Sequence, residues 1–179
     1  MDLGAKYAYL LEDEDVRPWC MNKIIVVNYD KCTGCKTCEA VCSLVHEGRI
    51  NPSESRINVV KYEDTGINIP VFCQKCGDPA CVAVCPMDAI IVDDYLGTYI
   101  DYSRCIGCKM CILACPIGGV SLHPANKKII MCDMCKGDPQ CVKSCPEQAL
   151  EYVDVGKLSV KKRREGLEKL AKFLEMAKI

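Results

Sequence analysis

Apolar residues in this chain come in short runs broken by Gly, Pro, Asp and Asn. Ile24-Ile25-Val26-Val27-Asn28 is β-branched and reads as a strand. Ala89-Ile90-Ile91-Val92-Asp93, a turn around Gly97, and Thr98-Tyr99-Ile100-Asp101 read as a hairpin. Val120-Ser121-Leu122-His123 and Lys128-Ile129-Ile130-Met131 form a comparable pair, and Ala149-Leu150-Glu151-Tyr152-Val153 closes the series. Between these strands, Thr37 to His46, Pro79 to Val84, Lys109 to Ala114 and Pro139 to Ser144 are short helical candidates. A longer helical pattern over 157–179 brings Val160, Leu167, Leu170, Ala171 and Leu174 near one face.

The runs are too short to build a large core by themselves, and the cysteines supply what they lack. The chain has 179 residues, of which 17 are Cys, 2 Phe and 1 Trp. The cysteines repeat in four groups: Cys32, Cys35, Cys38 and Cys42; Cys73, Cys76, Cys81 and Cys85; Cys105, Cys108, Cys111 and Cys115; and Cys132, Cys135, Cys141 and Cys145. In each, three cysteines stand close together and a fourth follows after three residues; Pro86, Pro116 and Pro146 follow the last three groups. The repeating unit is strand, cysteine loop, short helix, cysteine-proline, strand, which is the unit of a bacterial two-cluster ferredoxin, present twice.

A cubane iron–sulfur cluster requires four thiolates around a compact object. A turning C-x2-C-x2-C loop aims three sulfurs at one cluster, with Gly34 and Gly107 permitting the tight backbone. The fourth cysteine lies a helical turn further on and ligates the other cluster of the pair. Zinc sites use pairs of pairs and need no fourth cysteine with a proline behind it. Disulfides suit neither the C-x2-C spacing nor an N-terminus without a basic, apolar signal.

Groups two and three, joined by one short hairpin, are expected to exchange fourth cysteines, and groups one and four to pair around them. The expected ligand sets are Cys32, Cys35, Cys38 and Cys145; Cys132, Cys135, Cys141 and Cys42; Cys73, Cys76, Cys81 and Cys115; and Cys105, Cys108, Cys111 and Cys85. Sequential pairing of one with two and three with four is the alternative; it places Cys42 and Cys85 on the clusters of groups two and one. The expected fold is α+β, two nested bacterial-ferredoxin-like units of short antiparallel hairpins and short helices, plus a C-terminal helix. Its divisions are an N-terminal extension over 1–22, a four-cluster domain over 23–156 and an amphipathic basic helix over 157–179. Within the domain, the inner unit spans about 70–122 and the outer unit about 23–50 with 128–156.

Charge narrows the function classes. The formal net charge is −1, which gives no sign of nucleic-acid binding. The segment 157–179 holds eight Lys or Arg against three Glu and suits either a docking arm or a helix with a solvated basic face. No apolar run approaches the roughly 20 residues that span a bilayer, and no twin-arginine motif opens the chain. A reducing cytoplasm is the expected compartment.

From Ile24 to Val153 the layout resembles the four-cluster subunits of the dimethyl sulfoxide reductase iron–sulfur family. The text Cys42-Ser43-Leu44-Val45-His46-Glu47-Gly48, with Asn51-Pro52-Ser53 and Ser55-Arg56-Ile57, is more narrowly similar to the small electron-transfer subunits of tungsten aldehyde oxidoreductases and class II benzoyl-coenzyme A reductases of anaerobes. The resemblance implies nested ligation and a cytoplasmic hetero-oligomer. In it, a non-catalytic chain with four [4Fe–4S] clusters wires a large tungsten or molybdenum subunit to a further electron donor or acceptor protein. A free polyferredoxin, or a subunit of a hydrogenase or formate dehydrogenase assembly, shares the layout. No substrate pocket, nucleophile–base pair or nucleotide loop is legible.

Other residues draw bland readings. His46 and His123 are expected to be structural or at the surface, and Cys20 a free thiol beside Met21, an alternative start. Tyr62, Tyr95, Tyr99, Tyr102 and Tyr152 are expected to pack on strands or loops. Lys36, Lys75, Lys109 and Lys136 neighbour cluster ligands and are equally suited to raising reduction potential or to solvation.

Overall fold

The structure, a computed structural model, describes residues 23–93 and 97–157. The expected N-terminal extension with Trp19, Cys20 and Met21, the C-terminal helix and Tyr95 lie outside the described residues.

The strands form two-stranded antiparallel sheets. β1 (Lys23–Val27) pairs with β8 (Leu150–Asp154), with Ile25 opposite Tyr152, so the two ends of the described chain close on each other. β4 (Ile90–Asp93) pairs with β5 (Gly97–Ile100), and β6 (Val120–Leu122) with β7 (Ile129–Met131). These match the runs read from the sequence. The fourth pair was not anticipated: β2 (Asn58–Tyr62) and β3 (Ile67–Val71) form a hairpin with Val59 opposite Pro70. Asn68 and Pro70 break the β-forming pattern, and Pro70 is tolerated because a two-stranded sheet has only edge strands.

The four helical candidates form as α1 (Thr37–Glu47), α2 (Ala80–Ala83), α3 (Met110–Ala114) and α4 (Gln140–Lys143). α1 ends where Gly48 turns left-handed at φ 71° and donates its N–H to the Leu44 carbonyl at 3.0 Å. The other helices are about one turn long, far below the length at which a helix holds in water on its own. Packing holds them: α1 lies against α4, and α2 against α3.

Two hydrophobic cores result. The first joins Ile25, Cys38, Cys42, Ile57, Val59, Phe72, Met134, Cys141 and Leu150. The second joins Cys85, Ala89, Ile90, Cys111, Val120, Ile129 and Met131. A fully buried residue such as Ile129 contributes about 1.5–3 kcal/mol. The unanticipated hairpin serves the first core. Glu39 of α1, only 3 % exposed, accepts the Val59 N–H at 2.6 Å, and Asn68 donates to the Cys32 carbonyl at 3.1 Å.

One glycine marks where the chain passes closest to itself. A Cβ on Gly119 would lie 2.7 Å from the backbone of Cys73 and Phe72, so the segment after Cys115 sits directly on the segment that opens group two. Gly119→Ala should therefore lose about 1–3 kcal/mol of stability. Gly77→Ala, with open space around it, should stay within about 0.5 kcal/mol of the parent. Chemical denaturation of the iron-loaded chain compares the two; equal stabilities would contradict the close approach.

Candidate metal centres

Each cysteine group begins in a loop that no ordinary capped helix could provide. In group one, Gly34 at φ 68° and Lys36 at φ 62° bend the backbone around Cys35, and α1 starts at once without a side-chain cap. Group three repeats this with Gly107 at φ 70°, Lys109 at φ 66° and α3. In group four, Met134, Cys135 and Lys136 are all left-handed, which tightens the turn into α4. Left-handed backbone costs a non-glycine residue about 1–2 kcal/mol, so these loops need something to hold them.

The loops converge on pockets that are partly open to solvent, and the volumes given include that open space. One of 340 Å³ is lined by Cys32, Cys35 and Cys38 from group one and Cys145 from group four, closed by Val59 and Pro70 of the β2–β3 hairpin. Another of 340 Å³ is lined by Cys132, Cys135 and Cys141 from group four and Cys42 from group one. A third, of 360 Å³, is lined by Cys105, Cys108 and Cys111 from group three and Cys85 from group two. For Cys73, Cys76, Cys81 and Cys115 the link is electrostatic. Burial raises the Cys73 thiol, the charge and backbone N–H of Lys75 oppose it, and Cys76 and Cys115 add smaller raising effects. Cys81 is pushed up to about 11, by burial first and then by Cys73 and Cys115.

The last cysteine of each group shares a backbone partner that its spacing alone does not reveal. Cys85, Cys115 and Cys145 accept the N–H of the residue four places on, Ala89, Gly119 and Ala149, each at 3.3 Å. Cys42, which no proline follows, takes its N–H from Arg56 at 3.4 Å. Such bonds favour a thiolate sulfur over a neutral one.

The thiols' acidities report how thoroughly the sulfurs leave water. Burial pushes Cys38 and Cys132 up to about 12 and raises Cys141 further. Cys35 moves the other way, because the Thr37 hydroxyl donates to its sulfur at 3.4 Å. Four thiolates crowded into one pocket repel one another, and a polynuclear iron cluster supplies the positive charge that offsets this. The donor sets present therefore fit iron–sulfur clusters, whose usual protein ligands are four thiolates.

Both histidines are tied down structurally. His46 Nε2 lies 3.4 Å from Asp133 and 3.8 Å from the Cys135 sulfur, and burial lowers its basicity. Asp133 in turn accepts from Arg56 at 2.9 Å. His123 is buried; its Nδ1 accepts the N–H groups of Ala125 and Asn126, which fixes the turn between β6 and β7. Tyr102 packs by donating its hydroxyl to the Ile129 carbonyl at 2.8 Å, and Tyr152 stacks beneath the Lys23 ammonium. Tyr62 is exposed. Lys36, Lys109 and Lys136 are exposed, while Lys75 is half-buried.

Residues 64–155 match a family model described as a 4Fe-4S dicluster domain, and residues 31–91 match a second model of the same description. The polyferredoxin-like subunit of the aliphatic sulfonate oxidoreductase of Pyrococcus furiosus is 46% identical over 85 residues, covering 47% of this chain and 49% of that one. The electron transport protein HydN of Escherichia coli is 37% identical over 98 residues, covering 50% of this chain and 53% of its own length. The chain thus spans about half the length of these relatives. Among solved structures, the active site complex BamBC of benzoyl coenzyme A reductase with benzoyl-CoA aligns at a TM-score of 0.45 and 25% identity. That alignment covers 86% of this chain and 96% of the other.

Lowered thiol acidities carry a pH sign. Below the range set by Cys38, Cys81 and Cys132 the thiols are protonated, so a metal that binds them must displace those protons. Each thiol proton displaced multiplies apparent affinity by about ten per pH unit of increase. Cobalt(II), titrated into the metal-free chain and followed by thiolate charge-transfer absorption, should bind more tightly at the higher of two pH values. Affinity that does not change with pH would mean that thiols are not the ligands.

Proposed function

We propose that this chain, which belongs to the 4Fe-4S dicluster domain family, is an electron-transfer subunit holding four [4Fe–4S] clusters inside a larger oxidoreductase. The ligand sets are those read from the sequence, with groups one and four exchanging fourth cysteines around groups two and three. The observation that carries this reading is the make-up of the cavities. Each of the three combines three cysteines of one group with the last cysteine of its partner group. Close packing of α1 on α4 and of α2 on α3 supports the same pairing.

When bound, the clusters supply one-electron donor and acceptor centres. The chain's own residues do the rest. Left-handed loops aim the first three sulfurs, and the backbone N–H groups of Ala89, Gly119, Ala149 and Arg56 orient and stabilise the fourth thiolates. Val59, Pro70, Phe72, Ile90 and Ile129 keep water from the sulfurs, which strengthens every charge interaction inside. The names of its relatives, an electron transport protein and a polyferredoxin-like subunit, support a conducting rather than a catalytic role. Among the described residues no helix is long and apolar enough to cross a membrane.

The partner we propose is a large tungsten- or molybdenum-dependent subunit in the cytoplasm of an anaerobe, with a further donor or acceptor protein on the other side. The likeness to an oxidoreductase's polyferredoxin-like subunit supports a docked role.

Two measurements test the proposal. Anaerobic purification of the native complex, with metal analysis, should recover a large tungsten- or molybdenum-bearing partner; a lone chain or a hydrogenase partner would overturn that part. Iron counting tests the ligand sets. The parent should hold about sixteen irons, and Cys85→Ser with Cys108→Ser should leave about twelve because both cysteines serve one cluster. A fall to about eight would place them on two clusters and favour sequential pairing.

A further inference from the structure

Four lysines beside the cysteine loops have left-handed backbones: Lys36, Lys75, Lys109 and Lys136. Three of them point to solvent, and Lys36 faces Glu39 at 3.6 Å. Lys75 differs. It is half-buried, and its ammonium donates a hydrogen bond to the backbone carbonyl of Thr98, a residue only 2 % exposed. Thr98 lies on β5, and β5 packs against β7, the strand that runs directly into Cys132. The tether therefore draws the charge off the surface and into the seam between the two cores. Cys73 stands two residues away, and Gly119, packed on the Cys73 backbone, precedes Val120, which pairs with Met131 just before Cys132.

The seam is electrostatically continuous. The Lys75 charge favours the thiolate at Cys73 and also at Cys132, opposing the burial that raises both. Cys73 in turn acts on Cys132. Yet these two cysteines belong to different ligand sets. A cation fixed there acts on two neighbouring centres at once, and a half-buried site is screened by salt much less than the surface.

We infer that Lys75 is a fixed charge shared by two centres, one held by Cys73, Cys76, Cys81 and Cys115, the other by Cys132, Cys135, Cys141 and Cys42. It raises both reduction potentials together. Reduction adds one electron and no proton to a centre, so the added negative charge falls within reach of the ammonium in either case. The electron is delivered by one redox partner and passed on to the other. Shifting the two together leaves the energy step between them nearly unchanged as an electron crosses the seam. Lys75 is in this sense a positioning residue for charge, and the inference rests on the four-cluster reading above.

The test is an EPR-monitored redox titration of the full, cluster-loaded chain with Lys75→Gln and Lys75→Arg. Signals altered by Cys76→Ser and by Cys135→Ser identify the two centres. In K75Q both should become about tenfold harder to reduce, a drop of 59 mV for a one-electron couple, while the other two centres stay within about twofold. K75R, which keeps the charge, should leave all four near the parent values. Both centres unmoved in K75Q, only one moved, or an equal shift in K75R would each overturn the assignment. Should K75Q fail to hold its iron, K75R is read alone, and a tenfold change in its two centres overturns the assignment. A parent chain that holds no clusters would overturn the reading beneath it, and iron analysis before titration separates the two failures.

Discussion

Buried sulfur is the constraint on which this structure turns. Cys38, Cys42, Cys85, Cys111 and Cys141 are themselves part of the hydrophobic cores, in a chain with only 2 Phe and 1 Trp. As neutral thiols they pack like small apolar residues. As metal ligands they are thiolates, and a crowd of thiolates out of water is tolerable only around a compensating positive charge. Folding and metal loading are therefore one problem. One-turn helices and two-stranded sheets have little stability alone, and the sulfurs that end and begin them tie each to a neighbour.

The backbone is shaped to that purpose. Lysines and a cysteine adopt left-handed angles that an unconstrained chain would assign to glycine or asparagine. The strain is localised in the cysteine loops, three of which turn three cysteines each toward one pocket. Amide donors then meet the fourth sulfurs from the far side. In three groups the donor lies in the turn after the proline; in group one the Arg56 segment replaces it. The same segment carries Arg56 to Asp133, which faces His46, so a polar cluster braces the rear of one cavity.

The two cores meet where Cys73, Gly119 and Cys132 come close. Gly119 leaves no room for a side chain over Cys73, and β7 delivers Cys132 from the opposite side. A conduit for electrons needs such a near approach between otherwise separate halves, because tunnelling falls steeply with distance. Lys75, half-buried and bonded to the Thr98 carbonyl, is set apart from its three solvated counterparts.

Much of this was legible in the sequence. The cysteine spacing marks loops, helices and which cysteines gather at one pocket, because three sulfurs reach one place only at short, repeated intervals. The β-branched runs mark β1 and β4 to β8, since local composition suffices for a short paired strand. The β2–β3 hairpin escaped, because Asn68 and Pro70 suppress the local signal and only docking onto α1 through Glu39 makes the pair worthwhile. The Arg56 donor to Cys42 was equally hidden, being a contact between segments fourteen residues apart with no motif to announce it. Nor could the sequence separate Lys75 from Lys36, Lys109 and Lys136, which stand beside cysteines in the same way. Residue type and spacing decided the chemistry of the sites, since those depend on neighbours along the chain. Burial, amide donors and the seam were decided by the tertiary structure, since they depend on which distant segments exclude water from the same sulfur.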